Sequence, residues 1–182
     1  MLIKEIIFFI TPLLLAGLIH HLFVIKFDLV KQLARPIDNN LFLGGQQLFG
    51  QSKTWRGIIV MTALSGLFYY YLSYWINIET NYPALISGML IGLGYALGEL
   101  PNSFIKRRLH IGASQSNYKG FKKIFYLIDQ VDSVVGALIL LYVVYQPSIN
   151  LVLSILIISS LLHLLIDSYL HKFSYKKSNN IQ

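Results

Sequence analysis

The chain has 182 residues, of which 55% are hydrophobic and only 13% charged, with a mean hydropathy of +0.59. A soluble domain carries about twice that share of charge, so this is the composition of a multi-pass membrane protein. No cysteine is present, which excludes a disulfide framework, a thiol nucleophile and a thiolate metal site; the excess of 15 Lys and Arg over 8 Asp and Glu, a net charge of +7, must be tested against topology before nucleic acid is invoked.

The first apolar run, "IIFFITPLLLAGLIHHLFVI" (6–25), is long enough to cross a hydrocarbon core of about 30 Å. It lacks an A-x-A cleavage pattern and carries His20 and His21, so it reads as a retained span rather than a signal peptide. The two histidines read as interfacial packing. The joint that follows, 27–56, contains "ARPIDNNLFLGGQQLFGQSKTWRG", with Arg35, Asp38, Gly44, Gly45, Gly50, Lys53, Thr54 and Arg56. Glycines let backbone N–H groups approach an anion, and the neighbouring cations supply charge. The spacing of a P-loop is absent, and a basic loop lying on anionic headgroups is an equal reading.

A second span is expected at 57–76 and a third at 83–100, joined by the short "NIETNY". In the third, Gly88, Gly92 and Ala96 recur every four residues, the pattern of a central packing helix. It ends in "GELPNSFIKRRLHI". The basic run Lys106, Arg107, Arg108 is explained by anchoring, but Glu99, Asn102 and Ser103 beside it are not. Asn102 and Lys106 share a face if this segment is helical.

The fourth span, 125–145, opens with Asp129-Gln-Val-Asp132-Ser133. Carboxylates at i and i+3 lie on one helix face and repel unless a cation stands between them. Mg²⁺ takes one or two carboxylates together with substrate phosphates, so Asp129 and Asp132 are candidate metal ligands. The competing explanation is a helix N-terminus favouring negative charge. In the fifth span, 149–170, His163 and Asp167 are one turn apart and read as a mutually satisfied hydrogen-bonded pair.

Of the 15 basic residues all but Lys4 fall in the stretches 26–56 and 101–124 or in the tail, one side of a five-span chain. The positive-inside rule then places the N-terminus outside and both loops and the C-terminus in the cytoplasm. That asymmetry accounts for the net charge without nucleic acid. The expected fold is an all-α integral membrane protein of five transmembrane helices, forming one domain over 1–182.

"RPID", "SKTWRG", "GELPNSFIKRRL" and "DQVDSVVGA", in that order, resemble the CDP-archaeol synthase family, related to phosphatidate cytidylyltransferase. The resemblance implies a CTP:lipid-phosphate cytidylyltransferase in the cell membrane, its site on the cytoplasmic side, with CTP and a membrane lipid phosphate as substrates and Mg²⁺ as cofactor. No protein partner is implied. Catalytic roles would fall to Lys53, Arg56, Lys106, Arg107, Asp129 and Asp132, with Asp129 and Asp132 on the metal. CTP would be bound by Asp38, Lys53, Thr54, Glu99, Asn102, Ser103, Lys106 and Arg107. Glu99 stands where many archaeal members have Asp, and "GASQSNYKGFKKIFYL" (112–127) differs from the usual connection. Archaeol-type isoprenoid glycerol phosphate is the expected lipid, with phosphatidate as the alternative. Two other classes compete: a small membrane scaffold or transporter, and a CDP-alcohol phosphatidyltransferase, whose signature has more aspartates than "DQVDS".

Overall fold

In the computed structural model, residues 1–111 and 122–179 are described, and most of the 112–127 segment lies outside them. The apolar runs are helical, as the absence of water requires of backbone groups in a bilayer. Helix α1 covers Leu2–Ile19 and continues into a π-helical turn, His20–Ile25. Helix α2 covers Trp55–Ser73, α3 Ala84–Arg108, α4 Lys122–Val144 and α5 Ile149–Asn179. The loop between α1 and α2 holds one short antiparallel hairpin, β1 (Phe42–Leu43) and β2 (Gln46–Gln47), in which Phe42 faces Gln47.

The helices pack as a ring. α1 lies on α2, α2 on α3, α3 on α4 and α4 on α5, and α5 returns to α1. The α2–α3 and α3–α4 seams are the most extensive. Their closeness follows from small residues. A Cβ on Gly92 would stand 2.6 Å from the Ser65 Cβ, and one on Gly94 would stand 2.5 Å from the Gly136 carbonyl oxygen. Gly88 and Gly92 thus serve the α2 side and Gly94 and Gly98 the α4 side, which makes α3 the central helix. Ala96, the third member of that spacing, lines the cavity between the helices. At the far end, Tyr69 is fully buried against Phe8 and Phe9 and donates its hydroxyl to the Phe9 carbonyl at 2.7 Å.

Among the described residues, four helices are long and apolar enough to cross a membrane: Leu2–Leu22, Ala84–Arg108, Ile124–Val144 and Ile149–Ile166. α2 is not among them. It begins at an Arg-bearing turn and carries Thr62, Ser65 and the Tyr69–Tyr71 triplet, which lower its hydropathy although its length is sufficient. Large apolar side chains face outward around the bundle, Ile139 at 63% exposure and Ile157 at 57%, the surface expected against lipid tails rather than water.

Helix ends differ from the ends of the apolar runs. α3 does not stop at Leu100 but runs through Pro101 to Arg108, and α5 passes 170 to Asn179. Apolarity marks where the hydrocarbon ends; the backbone goes on hydrogen-bonding beyond it. In α3 the last-turn Lys106, Arg107 and Arg108 also complement the helix dipole. α4 begins by Lys122, so Asp129 and Asp132 lie well past its first turn. A helix N-terminus therefore does not account for them, because that effect fades within the first turn.

Candidate active site

The close α3–α4 seam brings the polar end of α3 against the aspartates of α4. Asn102 is buried, and its Nδ2 donates to Asp129 Oδ1 at 2.6 Å and to Asp132 Oδ2 at 2.8 Å. Lys106, one turn along the same face, pairs with Asp129 and reaches its Oδ2 at 2.6 Å. The i,i+4 relation of Asn102 and Lys106 thus does what the sequence spacing promised, and together they offset the repulsion between the two carboxylates. Ser133 extends the cluster: its backbone N–H donates to Asp132 Oδ1 at 2.7 Å, and its hydroxyl donates to Glu99 Oε1 at 2.9 Å. Lys53, from the α1–α2 loop, forms an ion pair with the other Glu99 oxygen. One continuous polar ladder therefore runs Lys53–Glu99–Ser133–Asp132–Asn102–Asp129–Lys106.

The ladder is accessible. The Asp129 side chain is 41% exposed and the Glu99 side chain 32%. The buried Asn102 Oδ1 has no hydrogen-bond partner. Among the described residues no group of three His, Asp or Glu is placed to enclose a metal ion. Two carboxylates on one face could instead hold a cation that keeps waters and shares phosphate oxygens, which is the habit of Mg²⁺.

The remaining expected site residues are placed differently. Asp38 is buried within its own loop, where its carboxylate accepts from the backbone N–H of Asn40 (3.0 Å), Phe49 (2.9 Å) and Gly50 (3.3 Å). The anion that this glycine-bearing loop surrounds is thus one of its own side chains. Thr54 caps α2, accepting from Gly57 N–H at 3.2 Å. Arg56 is turned to Asp28 at 2.7 Å, and its guanidinium holds the Asp28 carboxyl below the usual range. Arg107 is buried, donates to the Ile111 carbonyl, and lies so close under Gly50 (φ +90°) that a Cβ there would meet its Nε at 2.5 Å. Arg108 donates to the carbonyls of Leu43, Gln46 (3.1 Å) and Gln47 (2.8 Å). Of the three basic residues ending α3, Arg108 therefore pins the α1–α2 loop, Arg107 packs under its Gly50, and Lys106 alone meets the aspartates. Ser103 is buried beside them. His163 finds Tyr95 at 2.5 Å, and the Asp167 side chain lies outside what the structure describes.

Ser133 is the residue the motif reading passed over; its signal was the serine directly following the second aspartate. The second unforeseen feature is a cavity of about 1040 Å³ inside the helix ring. Its wall is mainly apolar, from Leu13, Leu14 and Leu18 of α1 to Leu162, Leu165 and Ile166 of α5, and at one end it reaches Lys53, Thr54, Arg56 and Glu99.

The sequence comparisons agree on one family. The family model "CarS-like: CDP-archaeol synthase" matches residues 2–179. A CDP-archaeol synthase of Methanococcus maripaludis (strain C7 / ATCC BAA-1331) is 30% identical over 162 residues, covering 79% of this chain and 82% of the relative. One from Thermococcus gammatolerans is 30% identical over 148 residues, covering 78% and 80%. A solved structure, described as "an intramembrane enzyme for archaeal membrane lipids biosynthesis", superposes with a TM-score of 0.66 at 24% identity, over 88% of this chain and 91% of the other.

Proposed function

The chain belongs to the CarS-like CDP-archaeol synthase family, CTP-dependent cytidylyltransferases of archaeal lipid biosynthesis, and we propose that it joins CTP to an isoprenoid glycerol phosphate at the polar ladder between α3 and α4. An oxygen of the lipid phosphate attacks the α-phosphorus of CTP. The new P–O bond forms as the bond to the bridging oxygen breaks, and pyrophosphate leaves with that electron pair. Such a transfer asks for positioning and charge neutralisation rather than a covalent intermediate. The observation that carries this reading is that the polar ladder from Lys106, Asp129 and Asn102 ends at Glu99 and Lys53, which line the polar end of a large apolar cavity. One part suits a nucleotide triphosphate, the other a lipid.

Asp129 and Asp132 would hold Mg²⁺, which would neutralise phosphate charge when bound. Asn102 orients both carboxylates. Lys106 and Lys53, the cations at the two ends of the ladder, face the phosphates. Arg107 and Arg108 act at one remove by fixing the loop that carries Lys53. Phosphatidate offers the same phosphomonoester head, so the headgroup dominates recognition.

The purified protein in detergent, given labelled CTP, Mg²⁺ and a panel of lipid phosphates, should place label in the lipid phase only with a phosphomonoester lipid. Rejection of every such lipid, with acceptance of a CDP-lipid plus an alcohol, would replace this reading by a phosphatidyltransferase.

The same reading takes α2 as a fifth span, held between α1 and α3, and sets the ladder on the cytoplasmic side. A reporter fused at Gln182 should then be cytoplasmic and one inserted at Thr80 external. Both on one side of the membrane would break the five-span arrangement.

A further inference from the structure

The cavity and the ladder meet without coinciding. Glu99 and Lys53 line the cavity, whereas Asp129, Asp132, Asn102 and Lys106 do not. The apolar wall formed by α1 and α5 has the character of a tail pocket, and a lipid whose tails fill it brings its phosphate to the end where Lys53, Thr54 and Arg56 stand. Lys53 is paired with Glu99 there and Arg56 with Asp28.

His20 lines the same end. Its Nε2 is buried and has no hydrogen-bond partner among the described residues. A nitrogen in that condition costs stability unless a ligand completes it. The ring lies beside Gly57: a Cβ there would be 4.0 Å from His20 Cε1 and 3.8 Å from Thr54 Oγ1, so no side chain separates the imidazole from the capped start of α2. His20 also begins the π-helical turn His20–Ile25, a widened turn of a kind that recurs at functional sites. A packing role, the reading its position in the first span suggests, leaves this nitrogen unexplained.

We propose that the His20 imidazole binds the phosphate of the lipid substrate, its Nε2 donating to a phosphate oxygen and holding the headgroup at the polar end of the cavity. This rests on the lipid-phosphate reading above. It assigns the two substrates to different sides of the ladder: the nucleotide with Lys106 and the aspartates, the lipid with His20 and Lys53. His20 is here a binding residue that sets lipid affinity.

The test uses the full chain in mixed micelles with CTP, Mg²⁺ and a lipid phosphomonoester, and measures the lipid KM at saturating CTP and the CTP KM at saturating lipid. Loss of one hydrogen bond to a charged group should raise the lipid KM by roughly tenfold or more in His20→Ala. The CTP KM should stay within about twofold. His20→Gln, which keeps an N–H donor, should recover part of the loss. An unchanged lipid KM, or an equal rise in both constants, overturns the proposal. Where His20→Ala lowers thermal stability, His20→Phe fills the space without a donor, and an unchanged lipid KM in that variant is equally decisive against it. Failure of the unsubstituted protein to label any lipid phosphate would remove the cytidylyltransferase reading and this proposal together; a fully active parent with an indifferent His20 would remove this proposal alone.

Discussion

Replacing Asp129 or Asp132 by Asn should lower Mg²⁺-dependent CTP turnover on the order of 100-fold or more, because each change removes a carboxylate from the pair proposed to hold the metal. The structure complicates the stability half of this experiment. Asn is cheaper than Asp beside lipid, so a bystander aspartate would be replaced with no loss of stability. Asp129, however, is the partner of Lys106, and its loss leaves that ammonium group with no compensating charge. Asp129→Asn should therefore be somewhat less stable, and Asp129→Asn combined with Lys106→Met should recover stability without recovering activity. Asp132 has no lysine partner among the described residues, and Asp132→Asn should melt close to the parent while losing turnover. Thermal melting and CTP turnover on the same detergent-purified variants separate these outcomes. A double Asp129→Asn/Asp132→Asn protein with full activity would remove the metal site and most of the case for nucleotidyl transfer.

The second large effect is expected at Gly136. A Cβ there would run into the backbone of Gly94 and Gly98 across the α3–α4 seam, and backbone atoms cannot turn aside as a side chain can. Gly136→Leu must force α3 and α4 apart. Overpacking of a tight interior costs about 1–3 kcal/mol, and more where neither wall can yield. Activity should fall further than stability alone dictates, since the same seam sets the 2.6 and 2.8 Å hydrogen bonds from Asn102 to the aspartates. Melting in detergent and CTP turnover would show both. If Gly136→Leu melts and turns over like the parent, the close approach of the two helices is not what builds the site.

How far the sequence foretold this depends on which physical signal is asked. Apolar runs located the helices, since length and hydropathy are local properties. They missed the ends, because a helix leaves the hydrocarbon without ceasing to be a helix, as Pro101–Arg108 shows. The glycine spacing in α3 indicated close packing but not two partners; Gly94 and Gly98 face α4 only because α3 is central. Charge type proved the weaker guide. Lys106, Arg107 and Arg108 are consecutive cations, yet a helix turns about 100° per residue and sends them to an aspartate, a buried carbonyl and a hairpin. Asp38 is a CTP ligand only by the family resemblance, and only the fold reveals that its carboxylate accepts from three backbone groups of its own loop. His20 reads as packing from its place near the end of the first apolar run, and only the fold reveals that its Nε2 is buried without a partner among the described residues.

The two attachments of the α1–α2 loop carry a consequence for how the protein is made. The contacts of Asp38 close entirely within 38–50, so they can form as soon as Gly50 has left the ribosome. The contacts of Arg107 and Arg108 must wait until two further helical segments, α2 and α3, have been synthesised. An N-terminal segment that folds before its later partner exists is exposed while it waits. The Asp38 carboxylate finds three of its donors within its own loop and need not wait for α2 or α3 to be made. The order of synthesis thus gives this loop two stages of assembly, self-closure and then docking, and the second stage is what delivers Lys53 to Glu99.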